Sequence, residues 1–199
     1  MTGPNAPAAP DVRPAADAPA RPPEPFGDGE APFTGSVLIQ LFDADGNLKD
    51  ERRGSNLITD NGDLYYATRA IAGVLPSNTA DATKVTGMKL GTGSTAAAKN
   101  GAGAALVTYL SASNKAFDAS FPAIVNLGAG LGVNGQYKVT WGAGVATNAA
   151  IAEAVIVDDS STDATSTAGH TTHRITFTAI NKGASDTLVI TWNAKFLGV

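Results

Sequence analysis

The strongest constraint on the fold is the alternation of residue types near the C-terminal end of the chain. Over residues 186–197, large apolar residues occupy every second position and polar residues fill most positions between them. Successive side chains of a strand point to opposite faces, so this period predicts a strand with one buried face. The apolar set is Leu188, Ile190, Trp192, Ala194 and Phe196. Similar patterns predict further strands at 35–42, 48–57, 85–90, 106–110, 116–125, 136–141, 151–157 and 174–180.

Eight or nine strands and one helix make the predicted fold mainly β. The helix is expected over residues 60–72, where Asp60 can cap the first turn and Gly73 can end the helix. Pro122 interrupts the strand at 116–125, which places this strand at a sheet edge. Many strands joined by loops of small and polar residues are typical of an antiparallel β-sandwich or jelly roll.

The first 34 residues differ sharply in composition from the rest of the chain. They hold nine of the 11 prolines, and proline prevents a stable helix by removing backbone donors. The stretch also has too few large apolar residues to form a core. We therefore expect an extended Pro/Ala-rich arm over residues 1–34 and one β domain over 35–199. Two arginines and five acidic residues give the arm a charge of −3, against −4 for the whole chain.

The composition excludes several classes of function. There is no cysteine, which excludes disulfide scaffolds, thiol nucleophiles, iron–sulfur clusters and cysteine zinc sites. A weakly acidic chain lacks the basic stripe of a nucleic-acid-binding protein. No apolar run approaches the roughly 18 residues that a membrane span needs. The sequence thus predicts neither nucleic acid nor membrane as a partner, and no cofactor.

Two histidines lie close together near three acidic residues. His170 and His173 are three positions apart, and Asp158, Asp159 and Asp163 precede them. Imidazole and carboxylate groups suit zinc and other divalent ions. Residues three apart point to opposite faces of a strand, however, so these imidazoles could converge only in a turn. A solvated polar loop is therefore favoured over a metal site.

Two glycine-containing stretches resemble ligand loops only in part. Residues 43–47 (DADGN) with Glu51 lack the spacing of a calcium-binding EF-hand, and a hairpin turn is favoured. Residues 91–95 (GTGST) follow a predicted strand but lack the Gly-Lys-Ser/Thr step of a phosphate-binding P-loop. A simple loop is favoured there.

No complete catalytic pattern is present, and the sequence predicts that the protein is not an enzyme. There is no G-x-S-x-G motif for a nucleophilic serine. Glu153 is the one acid within an apolar strand; an interior acid is one alternative, and a sheet-face or interface position is favoured. Trp141, Trp192 and Phe196 alternate with aliphatic residues, which favours the core or a subunit interface over stacking on sugars.

Three stretches together carry a resemblance to a known family. They are residues 56–62 (NLITDNG), residues 88–95 (MKLGTGST) and residues 177–192 (FTAINKGASDTLVITW). In this order they resemble motifs of virion structural proteins of tailed bacteriophages, which include capsid decoration proteins, head fibres and tail-fibre modules. The resemblance spans about residues 36–197 and leaves the arm without a counterpart.

The resemblance implies a capsid decoration (cement) protein on the exterior of the phage head. The implied partners are the major capsid protein and further copies of the chain, expected as a trimer. A nearly neutral domain surface suits contact between copies because few charges must be desolvated. The arm is expected to bind the capsid through its larger apolar residues and its two cations. These are Val12, Arg13, Arg21, Phe26 and Phe33.

Two other functions stay open. The first is a head- or tail-fibre component involved in host attachment. A fibre continues into a long shaft, whereas the last predicted strand ends two residues before Val199, which favours decoration. The second is a carbohydrate-active enzyme or a lectin on a sandwich fold. Such a protein would need paired carboxylates or exposed tryptophans in a groove.

Overall fold

Ten strands form two antiparallel sheets in the computed structural model, which describes residues 33–70 and 83–196, with side chains from residue 35 onward. Sheet A contains β1 (Phe33–Phe42), β2 (Leu48–Ser55), β6 (Ala123–Asn126), β7 (Val133–Trp141) and β10 (Thr187–Phe196), in the order β2-β1-β10-β7-β6. Sheet B contains β3 (Leu57–Ile58), β4 (Gly87–Gly91), β5 (Lys115–Ala116), β8 (Asn148–Val157) and β9 (Thr171–Lys182), in the order β3-β9-β8-β4-β5. These residues also contain α1 (Asp60–Ala70) and two short 3-10 turns, Gly101–Ala104 and Ala168–His170.

The core lies between the two sheets and follows the alternation of the strands. In sheet A, Ile190 of β10 lies opposite Ile39 of β1 and opposite Val139 of β7. All three side chains are buried, as are Met88 and Ile156 on the facing side of sheet B. For residues 33–70 and 83–196, the prediction of a mainly β, antiparallel sandwich with one short helix is confirmed.

Helix α1 begins at Asp60, as predicted, but a different residue caps it. The Thr59 hydroxyl accepts a hydrogen bond from the backbone N–H of Gly62 at 3.0 Å, and it donates to the carbonyl of Thr171 at 2.6 Å. Thr59 therefore satisfies one open donor of the first turn and attaches the helix to β9. Gly62 lies so close to β9 that an added Cβ would be 2.2 Å from the Thr172 carbonyl oxygen.

Three predicted strands differ in the structure. Residues 48–57 form two strands, and β3 belongs to sheet B rather than to sheet A. Residues 116–125 contribute to β5 and β6, which lie in different sheets, with a cis peptide bond between Phe121 and Pro122. Residues 106–110 form no strand; they make one isolated bridge, between Gly91 and Tyr109. In the first two cases the chain crosses from one sheet to the other within a segment whose local pattern looks continuous.

The β domain begins slightly earlier in the chain than the composition predicts. β1 begins at Phe33, whose backbone pairs with Phe196, so the sheet starts two residues before the predicted boundary at 35. Residues 1–32, 71–82 and 197–199 lie outside the described part of the chain. The predicted helix end at Gly73 and the arm residues Val12, Arg13, Arg21 and Phe26 therefore fall outside it, as does the side chain of Phe33.

Candidate functional site

An ion pair is wholly buried on the outer face of sheet B. Arg174 of β9 donates from Nη2 to Oε2 of Glu153 on β8 at 2.8 Å, and both side chains have no exposed surface. Glu153 does lie on a sheet face, as predicted, but it is buried because a loop covers the outer face of β8. This covering loop, residues 92–108, makes Glu153 an interior residue.

Both members of the ion pair bind the backbone of the covering loop. Glu153 accepts hydrogen bonds from the N–H groups of Gly93 and Thr108, each at 2.9 Å, and of Val107 at 3.2 Å. Arg174 donates to the carbonyl oxygens of Gly103 at 3.0 Å and Thr95 at 2.8 Å. The bonds to the Gly93 N–H and the Gly103 carbonyl are buried, and without them these two groups would be buried polar groups without a partner. The pair therefore holds the loop on the sheet.

The glycines at 91 and 93 make room for the Glu153 carboxylate. An added Cβ would lie 2.5 Å from Glu153 Oε1 at Gly91 and 2.6 Å from it at Gly93. These glycines thus allow a side-chain carboxylate of the same chain to approach the backbone. The simple-loop interpretation of residues 91–95 agrees with this arrangement, in which the loop serves the buried ion pair.

A second buried cation anchors the acidic loop, residues 158–167, which follows β8. Lys89 of β4 is fully buried; its ammonium group lies 3.0 Å from Asp159 Oδ1 and donates to the Ala164 carbonyl at 2.9 Å. The nearby Tyr109 hydroxyl donates to Asp163 at 2.6 Å. Burial and the Asp163 carboxylate raise the pKa of Tyr109 to about 12, and the hydroxyl's hydrogen bond lowers the pKa of Asp163. Asp159 and Asp163 thus have structural roles, because they bind side chains of neighbouring segments.

His173 lies in the core between the sheets and not in a solvated loop, which corrects the prediction for this residue. Its Nε2 is 3.0 Å from the Tyr66 hydroxyl of α1, and its Nδ1 is 2.9 Å from the Thr172 hydroxyl. Burial lowers the pKa of His173 to about 3, so the imidazole is neutral at pH 7. β9 faces the core at this position, which the sequence pattern does not reveal.

Two tyrosines complete the polar cluster around His173. The hydroxyls of Tyr66 and Tyr137 are 3.3 Å apart. Burial raises the pKa of Tyr137 to about 12 and raises that of Tyr66 further, with a contribution from the Tyr137 hydroxyl. All three side chains therefore stay neutral at pH 7. The cluster thus consists of neutral hydrogen-bonding groups, and the rings of Trp192 and Phe196 pack against it.

His170 and His173 do not converge on a common point. His170 is exposed at the surface, where its Nδ1 lies 2.7 Å from Asp158 Oδ1, whereas His173 is buried. Within residues 33–70 and 83–196, no three His, Asp or Glu side chains are grouped so that they could hold a metal ion. Asp43 accepts hydrogen bonds from the backbone N–H of Asp45 and of Asn47, which confirms the predicted hairpin turn.

The three predicted aromatic residues lie at different depths. Trp141 and Trp192 are fully buried, and the Trp141 indole donates to the Ser113 carbonyl at 2.7 Å. The Trp192 indole N–H is buried and has no hydrogen-bond partner among the described residues. Phe196 is half-buried, with its ring centroid 5.4 Å from that of Tyr66. Neither tryptophan is available to stack on a ligand in this arrangement.

The exposed apolar surface concentrates on one hairpin of sheet A. Ile124, Val125, Leu131 and Val133 all lie in the β6–β7 hairpin, residues 123–141, and all are exposed. Residues 119–137, which include most of this hairpin, contain no charged residue and no histidine. An exposed apolar patch of this kind is a candidate interaction surface.

The sequence analysis did not identify the two buried cations, Arg174 and Lys89, that form ion pairs with acidic residues. A single acid inside an apolar strand requires a partner, and the pairing of β8 with β9 brings Arg174 beside Glu153. Lys89 sits in a predicted apolar strand in the same way, and this too was a signal for a buried ion pair. Tyr66 carried no comparable signal, because it lies in a polar stretch of α1.

Within the described residues, no helix combines the length and the apolar character needed to cross a membrane. Comparison of the chain with models of protein families, with curated proteins and with solved structures found no match.

Proposed function

We propose that this chain is a structural virion protein: a capsid decoration protein that binds the phage head through the arm that precedes β1, residues 1–32, and binds copies of itself through the β domain. Its place would be the capsid exterior, with the major capsid protein as the partner of the arm. The ordered motifs over residues 36–197 support this proposal, as does the chemistry of the domain surface.

The observation that carries the proposal is the exposed apolar, uncharged hairpin. Of the eight large apolar side chains that are exposed in the described residues, four lie within residues 124–133. Surfaces of this type suit a lattice protein, because contacts made through uncharged apolar residues require little desolvation of charge. The concentration of apolar side chains at one place distinguishes the hairpin from scattered surface residues.

The use of the buried charges also favours a scaffold over a reaction site. The Glu153 carboxylate receives donors from three backbone N–H groups and from Arg174, so its lone pairs are engaged. Lys89 is engaged in the same way with Asp159 and the Ala164 carbonyl. These groups stabilise long loops on a rigid sheet, which is a requirement for a stiff domain on a particle surface.

The arm supplies the proposed capsid contact. Its larger apolar residues, Val12 and Phe26, are suited to pockets on a partner, and Arg13 and Arg21 are suited to acidic groups there. Exposed ion pairs contribute only about 0–1 kcal/mol each, so apolar contact should dominate. Proline lowers the entropic cost of ordering such a segment by restricting it beforehand.

The test is co-sedimentation with purified heads that lack this protein, from the phage whose genome encodes it. Because β1 begins at Phe33, the informative truncation removes residues 1–32 and leaves sheet A complete. We expect the full chain to sediment with heads and the truncated chain to stay in solution with the β-sheet signal of its circular dichroism spectrum retained. A matched pair of variants, Phe26→Ala and Pro25→Ala, separates apolar anchoring from arm stiffness.

Each other outcome contradicts a defined part of the proposal. If the truncated chain binds heads as well as the full chain, the β domain makes the contact and the arm does not. If neither binds heads, decoration is wrong. If, in addition, the full chain binds host cells, the fibre alternative takes its place.

A further inference from the structure

The four edges of the two sheets differ in how they are protected from pairing with another strand. The β2 edge has five consecutive charged residues, 49–53. The β3 and β5 edges are only two residues long. The β6 edge, Ala123–Asn126, is four residues long and carries no charge, so it is protected neither by charge nor by extreme shortness. Among the described strands, β6 pairs only with β7. Unprotected apolar edges are templates for pairing with a further strand.

Both faces of β6 are exposed. Ile124 lies opposite Gly135, which shares a face with the buried Tyr137, Val139 and Trp141. Ile124 therefore points to the side on which sheet B covers the rest of sheet A, yet it is 82 % exposed. Val125 points to the other side and is also exposed. A partner that packs on one face of sheet A would cover only Ile124 or only Val125. A partner strand that pairs with the β6 edge and extends the sheet would lie beside both side chains.

We propose that the partner is a second copy of this chain, which pairs its β6 antiparallel with this β6 across a two-fold axis. The inference deepens the self-association part of the proposed function and does not depend on capsid binding. A charged partner strand would bury charges against an uncharged surface, which is costly. A second copy instead brings an equally uncharged apolar strand, and a two-fold contact is self-complementary.

The faces of the sheet restrict the register of this contact. A two-fold axis perpendicular to the sheet places the inner face of one copy beside the inner face of the other, so Ile124 must oppose an inner-face residue. The register that sets Ile124 opposite Ile124 of the second copy also sets Ala123 opposite Val125 of that copy. The alternative inner-face register sets Ile124 opposite Asn126. The first register matches apolar side chains with one another, which is favourable for cross-strand pairs.

The experiment uses the position of Ile124 at the axis. The full-length chain, its Ile124→Lys variant and its Ile124→Glu variant are measured by light scattering after size exclusion and by sedimentation equilibrium. We expect a dimer for the unchanged chain and a dissociation constant raised about tenfold or more for each variant, because like charges face each other. An equimolar mixture of the two variants should recover the dimer, because Lys then faces Glu. Leu48→Lys, at the exposed but charged β2 edge, is the matched control and should leave the dimer unchanged.

Several results would overturn the edge contact. They are a monomer at every concentration, the trimer expected from the family resemblance, dimers that neither variant weakens, and a mixture that stays monomeric. Circular dichroism of each variant checks that the exposed substitution leaves the fold intact. Head binding is measured separately by co-sedimentation, so failure of the edge contact and failure of the decoration function give different results.

Discussion

Glu153 and Arg174 lie on neighbouring strands of sheet B with 2.8 Å between Oε2 and Nη2, and neither side chain has exposed surface. Removing one partner of such a pair leaves the other charge buried without compensation. The pair also binds the covering loop, so its loss should loosen residues 92–108 as well as the sheet.

Glu153→Gln should therefore lower the free energy of unfolding by about 3–5 kcal/mol, because the Arg174 charge stays buried without its counterion. Chemical denaturation measures the cost, and hydrogen exchange should become faster at the amides of Gly93 and Thr108. The control is Glu51→Gln, which weakens a partly exposed ion pair with Arg53 and should cost less than about 1 kcal/mol. Equal costs for the two variants would contradict the buried-pair interpretation.

The stability of the domain should fall as the pH falls below about 6.5, because His173 has a pKa of about 3 in the folded chain and 6.5 in its ordinary state. Between these values the unfolded chain binds more protons, so the stabilisation is complete above pH 6.5 and is lost progressively as the pH approaches 3. The slope attributable to His173 approaches about 1.4 kcal/mol per pH unit within this window.

Denaturation curves between pH 7 and pH 5 test this dependence, with pH values chosen above the range in which carboxylates titrate. His173→Phe should flatten the slope in this range, whatever its effect on stability at pH 7. His170→Asn, at the exposed histidine, should leave most of the slope in place. The same slope in the His173 variant as in the unchanged chain would rule out His173 as its source.

The two buried tryptophans should respond differently to loss of the indole nitrogen. Trp141 donates to the Ser113 carbonyl, whereas the Trp192 N–H has no hydrogen-bond partner in the part of the chain that the structure describes. Trp141→Phe should therefore cost about 1 kcal/mol more than Trp192→Phe, since only the first leaves a buried carbonyl without its donor. Trp192→Ala should cost about 3–5 kcal/mol because it opens a cavity in the core. Thermal unfolding of the three variants measures these differences, and a larger cost for Trp192→Phe than for Trp141→Phe would contradict the assignment.

Gly62→Ala should destabilise the attachment of α1 to β9. An added Cβ would lie 2.2 Å from the Thr172 carbonyl oxygen, so the helix or the strand must move. Overpacking of this kind costs about 1–3 kcal/mol, although alanine is the better helix former. Gly142→Ala is the control because a Cβ there meets no atom within 4 Å. If Gly62→Ala stabilises the domain, the close approach of helix and strand is wrong.

The side-chain pattern alone was sufficient to predict the strands that have one buried face. β10 and β7 alternate as their sequences predict, because a period of two is a local property that survives in any sheet with one solvated face. The turn at Asp43 was predictable for the same reason, since its carboxylate binds backbone N–H groups only two and four residues ahead. The start of α1 was also local, although the capping residue proved to be Thr59.

The tertiary structure alone decided which strands share a sheet and which charges are buried. β5 and β6 belong to one predicted strand but to different sheets, because pairing partners are chosen from distant parts of the chain. Glu153, Arg174 and Lys89 are buried because the covering loop and the acidic loop return across the outer face of sheet B, an event that no local period encodes. His173 likewise faces the core only because β9 places it between Tyr66 and Trp192. Local alternation determines which side chains of a strand share a face, whereas the burial of that face depends on which other segments of the chain pack against it.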